Sequence, residues 1–173
     1  MNDAAVRRVV LEVEAHVAAA GWDQAPRLYA LVTTSELIEA EPALAAQLAL
    51  DPDEAAGAFT PIEQDELPVE QGLEEMLGGI MWPPGVAGCA AVVERLVLPP
   101  GAEGELADDA EQARAVAAQH PGRQEVRMAV AVTRDGRGHC ALRLRSHDDA
   151  ADVLDGADLV PTLVGLLSQT LTD

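Results

Sequence analysis

Residues 124–147 read QEVRMAVAVTRDGRGHCALRLRSH, and the fold turns on this stretch. Val126, Met128, Val130 and Val132 take every second position. Thr133, Arg134, Asp135, Gly136, Arg137 and Gly138 then supply turn residues, and Cys140, Leu142, Leu144 and Ser146 resume the alternation. Alternate side chains of a strand point to opposite faces, so the pattern predicts two half-buried strands joined as an antiparallel hairpin. One face is apolar. The other carries Arg127, Ala129, Ala131, Ala141, Arg143, Arg145 and His147, and is expected to point outward.

Upstream, residues 86–98 are apolar on both faces, with Gly88, Ala90 and Ala91 small enough for helices to press against them. That is the character of a central strand. Within it, Glu94 and Arg95 project to opposite sides, and each needs a partner there. Residues 27–32 form a second strand covered on both faces. Val6, Val10, Val13 and Val17 recur at helical spacing, which predicts an amphipathic helix over 3–20 with Arg7, Arg8, Glu12 and Glu14 on its polar side and Gly21 as its stop.

Thr33 and Glu36 have capping-box spacing, opening a helix that reaches about residue 50 with a break near Pro42. Thr60 and Glu63 repeat that spacing with Pro61 at the first helical position, so a short helix is expected there as well. Further helices are expected over 69–80, from Asp108 to about Gln119, and from Asp158 to the end, with a loop or short turn over 148–156. The sum is an α+β fold in a single domain, residues 1–173: a mainly antiparallel sheet of about four strands carrying about six helices. The direction in which residues 86–98 pair with the hairpin stays open.

Aromatic residues make up only 2% of the chain, so Leu, Val and Ala must fill the core. All 11 basic residues are arginine, against 30 acids, for a formal charge of −19. Such a chain is repelled by nucleic acid and by anionic membrane surfaces, and neither is expected as a partner. No run approaches the roughly 18 apolar residues of a membrane span, and the N-terminus has no signal-peptide core, which points to the cytoplasm. Cys89 and Cys140 are too few for a disulfide framework and read as small buried hydrophobes.

The strongest functional candidate is the arginine concentration. Six of the 11 basic residues fall within 123–147, where only Glu125 and Asp135 oppose them. Guanidinium forks on one strand face could hold a carboxylate or phosphate, or they could pair with the chain's own acidic helices. The candidate binding set is Arg127, Arg143, Arg145 and His147, with Glu94, Arg95 and Trp82. The four histidines lack metal-ligand spacing, no serine sits in a nucleophile elbow, and His139 and Cys140 face opposite ways on a strand. Catalytic residues, a metal and a cofactor are therefore not expected.

At residues 26–32 (PRLYALV), Trp82-Pro83, 94–100 (ERLVLPP), Arg134-Asp135-Gly136 with 140–143 (CALR), and 158–161 (DLVP), the chain resembles an uncharacterised protein family of actinobacteria over nearly its whole length. The resemblance implies a cytosolic protein of a high-GC Gram-positive bacterium and brings no established activity. The order of elements is also similar to secretion-chaperone-like and sensory-regulator-like α+β domains. From these features the expected function is non-enzymatic: binding a protein or peptide, or a second copy of the chain, through the sheet face and the arginine-rich hairpin. The alternative is an enzyme or sensor that holds a small anion between Trp82, Arg95, Arg143 and His147. A third is a structural subunit of a larger complex.

Overall fold

The valines at positions 6, 10, 13 and 17 do share a helix face, and helix α1 (Asp3–Ala18) buries all of them. The computed structural model describes residues 3–54, 57–64, 75, 77–97, 124–157 and 159–171. After α1 come β1 (Arg27–Thr33), α2 (Thr34–Ala40), α3 (Pro42–Gln47), β2 (Phe59–Glu63), β3 (Gly88–Val97), β4 (Gln124–Thr133), β5 (Gly138–Leu144), β6 (Leu154–Gly156) and α4 (Pro161–Thr170). The strands form one six-stranded sheet in the order β2-β1-β3-β4-β5-β6, antiparallel at every junction. The open question of direction is thereby answered. β3 and β4 run antiparallel, in register from Gly88 opposite Thr133 to Val97 opposite Gln124.

Two hydrophobic layers flank the sheet. On one face the valines of α1 pack on Tyr29, Leu31, Ala90, Val92, Ala129, Ala131 and Ala141. The alanines form a low floor that lets a valine-faced helix approach closely. On the other face Leu163, Leu167 and Leu171, in and just beyond α4, pack with Leu77 on Leu28, Cys89, Ala91, Val93, Val130, Val132 and Cys140. The alternation in the hairpin thus assigns its faces correctly, but the arginine face is covered by α1 and does not point outward.

The α+β class and the antiparallel sheet stand as expected, whereas the counts differ. The sheet has six strands, not about four, and the described residues contain four α-helices, not about six. Residues 60–63 are strand β2, not a capped helix. The outer edge of β1 takes up this segment, the Thr60 hydroxyl bonds to Thr34 at 2.9 Å, and Pro61 is tolerated because β2 lies at a sheet edge. Thr33 does occupy the N-cap position of α2, yet its hydroxyl caps nothing. At the other edge, β6 is three residues long, too short for an alternating pattern to declare itself. β5 ends at Leu144, and Arg145–His147 form a 3-10 turn, so Arg145 and His147 do not continue the strand. The helix expected over 108–119 and the cap at Asp158 lie outside the described residues, as does most of the helix expected over 69–80.

Gly88 lies between two strands, opposite Leu31 on β1 and Thr133 on β4. A Cβ there would collide with the Val132 carbonyl oxygen, which belongs to the backbone and cannot rotate away. Gly88→Ala is expected to lower the free energy of unfolding by about 1–3 kcal/mol in urea titrations. Gly85→Ala, where an added Cβ would meet nothing within 4 Å, should leave the midpoint unchanged.

Candidate functional site

The hairpin arginines converge beneath the C-terminal half of α1. Arg127 and Arg143 are directly opposite each other across the β4–β5 ladder, and both are buried. Glu14 descends onto them from α1. It is 2% exposed, and its carboxylate accepts from Arg143 Nε at 2.5 Å and Nη2 at 3.0 Å. The third nitrogen of Arg143 donates to Asp148 at 3.0 Å. Glu14 therefore belongs to the buried side of α1 and not to its polar side. Its position was readable in principle, because it follows Val10 by four residues and precedes Val17 by three.

Arg127 is held differently. Its guanidinium lies 4.4 Å from the centroid of the Trp22 ring, and Nη2 donates to the Gly21 carbonyl and, at 3.3 Å, to Glu94. Glu94 in turn accepts from the backbone N–H groups of Asp23 at 2.8 Å and Gln24 at 3.2 Å. Arg145 donates to Asp23 at 3.0 Å and to Glu125 at 2.9 Å, and stands 5.7 Å from the same indole. The indole N–H donates to Asp148 at 3.0 Å. Together with the neighbouring Arg143, this bond holds the Asp148 carboxyl below the usual aspartate range. These contacts secure the turn after α1, where Gly21 and Asp23 both adopt positive φ.

Arg127, Arg143, Arg145 and Glu94 are thus brought together, as an internal junction whose positive charges are met by the chain's own acids. Trp22 completes it and was missed, because nothing local distinguishes it from an ordinary turn residue. The other expected members are elsewhere. Trp82 packs on the α4 side, with its indole donating to Thr170 at 2.9 Å. Arg95, opposite Val126, projects from that same face, where it is engaged by other groups. The sheet therefore separates Trp82 and Arg95 from Arg143, and the anion pocket expected among them with His147 does not form. The remaining described arginines of the hairpin are also engaged. Arg134 donates to the carbonyls of Trp82, Pro83, Val86 and Leu171, and Arg137 to Asp135.

A cavity of about 480 Å³ opens on the opposite flank of α1, walled by the end of α3, the loop that follows it, and β2. This volume is typical of small-ligand sites, which run from about 300 to 1,000 Å³. Val9, Leu48, Leu50, Phe59 and Pro61 give it apolar walls, while Arg8, Glu12 and Asp51 bring charge. Arg8 is exposed and makes no hydrogen bond or ion pair among the described residues, unlike the arginines of the junction. Ala49, also in the wall, closes α3 in the left-handed region at φ 55°, a conformation that costs an L-residue about 1–2 kcal/mol. This cavity was not legible in the sequence, because its lining comes from four separate stretches of unremarkable composition.

Among the described residues no three His, Cys, Asp or Glu side chains are grouped to hold a metal. The buried Cys89 thiol is pushed up to about 11 by desolvation, which keeps it protonated at neutral pH. No described helix is long and apolar enough to cross a membrane.

Two expectations follow from the junction and its neighbours. Arg143→Met alone leaves the Glu14 carboxyl group buried without its partner, and should cost about 3–5 kcal/mol in urea denaturation; the double variant Glu14→Leu with Arg143→Met should recover most of that loss. Asp155 accepts from Arg7 at 2.7 Å and bonds His139 at 2.8 Å, and these contacts lower its pKa. A lowered carboxylate stabilises the fold above the unfolded value of about 3.9, and that contribution disappears as pH falls through the folded value. Asp155→Asn should therefore be less stable than the parent at pH 7, with the difference closing below about pH 4.

The chain matches no curated protein and no solved structure. A family model described as PPA1309-like protein does match it, over residues 6–172, in agreement with the resemblance to an uncharacterised family. With nearly the whole chain covered, the protein belongs to the PPA1309-like family.

Proposed function

We propose that the protein is a non-catalytic binding domain, a sensor or carrier whose ligand is a small organic carboxylate with an apolar body, seated in the cavity beside α1. The observation that carries this reading is Arg8. It is a guanidinium with no hydrogen bond or ion pair among the described residues, on the wall of a cavity that mixes polar groups with the apolar side chains of Leu48, Leu50 and Pro61. An apolar pocket with a few placed polar groups is the usual form of a small-molecule site. Arginine is suited to carboxylates because its planar fork matches their geometry.

The hairpin arginines favour this location over the sheet face. Arg127, Arg143 and Arg145 already bond to Glu94, Glu14, Asp148, Asp23 and Glu125, so a protein or peptide partner at that face would have to displace internal acids. The arginine-only basic set supports an origin in a high-GC Gram-positive bacterium.

Calorimetric titration of the full chain with a panel of small apolar carboxylates and their uncharged amides tests the reading. Carboxylates should bind and amides should not. Arg8→Ala, a change at an exposed side chain, should weaken carboxylate binding about 10- to 100-fold without moving the thermal midpoint, the range given by a charge-assisted hydrogen bond of about 1.5–3 kcal/mol. Equal affinity in the parent and in Arg8→Ala would place the ligand elsewhere and sink the proposal.

A further inference from the structure

We infer that the ligand is a zwitterion, an apolar amino acid, with its carboxylate on Arg8 and its ammonium on Glu12 and Asp51. This inference rests on the cavity being a binding site and adds a second pole to it. Arg8 and Glu12 are one helical turn apart and both line the cavity. Side chains at this spacing commonly pair, but arginine preceding glutamate is the less favourable order, and no ion pair forms between them. Both charged groups are left to face the cavity. Asp51 enters from the loop after α3, with one carboxylate oxygen accepting from the Asp53 N–H at 2.9 Å. Its other oxygen makes no hydrogen bond among the described residues.

A simple monoanion bound to Arg8 would place its charge near two carboxylates, which disfavour it. An ammonium group on the same ligand reverses the sign of that contact. It offers three donors, and the acceptor-only oxygens of Glu12 and Asp51 are the matching partners. Leu48, about half exposed, together with Leu50 and Pro61, offers the cavity an apolar surface for a side chain. The charge layout and the walls together specify an amino acid with an apolar side chain.

Calorimetry on the full chain with L-leucine, 4-methylpentanoate and isopentylamine, repeated with L-phenylalanine and 3-phenylpropanoate, decides the matter. In at least one pair the amino acid should bind about tenfold or more tightly than the carboxylate lacking the amine, as two charge-assisted contacts require. Glu12→Gln combined with Asp51→Asn should abolish that advantage while leaving affinity for the carboxylates unchanged or improved. Carboxylates that bind as tightly as their amino acids overturn the zwitterion inference and leave the site standing. No heat with any probe overturns both.

Discussion

Two guanidinium groups face each other across the β4–β5 ladder, at Arg127 and Arg143, and helix α1 lies over both. Like charges directly opposite in a sheet repel, and burial makes the repulsion stronger. The pair is tolerable only if acids arrive from outside the hairpin. They come from three directions: Glu14 from α1, Glu94 from β3, and Asp148 from the segment after β5. Glu14 fixes α1 against the sheet, Asp148 fixes the segment after β5, and Glu94, on the neighbouring strand, holds the turn after α1 through the N–H groups of Asp23 and Gln24. The valines of α1 over an alanine floor would permit several placements, because apolar contact is non-directional. Hydrogen-bonded forks permit far fewer.

Arg127 shows how the arrangement is balanced. Its Nε and Nη1 atoms are buried without a partner among the described residues, a condition that ordinarily costs free energy. The Trp22 face beside it offsets part of this, since a desolvated cation–π contact contributes about 2 kcal/mol. Trp22 is itself held by Asp148, which also receives Arg143, so the two arginines are linked through one indole and one carboxylate. On the opposite face the described polar contacts centre on Arg134, which donates to the carbonyls of Trp82, Pro83, Val86 and Leu171. The packing of that face against α4 is largely apolar, with Trp82, Cys89 and Thr170 making further polar contacts. Both faces therefore bury an apolar cluster, and the α1 face adds the two buried guanidinium groups.

What could be read in the sequence follows from how far each signal reaches. Period-two alternation at Val126–Val132 and Cys140–Leu144 and the valine spacing in α1 are local patterns, and they gave the hairpin, its faces and the helix. β2 was misread because Thr60, Pro61 and Glu63 meet the local rules for a helix start, while an unpaired β1 edge, which no local rule sees, pulled them into the sheet. The arginine face was correctly identified as one face, but whether it met solvent depended on Glu14, some 129 residues away. The same limit hid the cavity, whose lining joins α1, the α3 end and β2. It also grouped Trp82 with Arg143, although the sheet lies between them.

The overall charge of −19 bears on which ligand the cavity can admit. A strongly negative molecule repels a free anion at distances up to about 8–10 Å at physiological ionic strength. Arg8, which has no ion pair among the described residues, does not reverse that local field beside Glu12 and Asp51. A net-neutral zwitterion escapes the long-range repulsion and meets the attraction only inside the cavity, where the two ends of the molecule are sorted by Arg8 and the two acids. Raising the salt concentration should therefore alter the binding of a simple carboxylate through screening of the whole protein, but alter that of an amino acid only through its two short contacts. Under the proposed reading the acidity of the chain thus acts as a filter on small ligands, favouring those that carry both signs of charge.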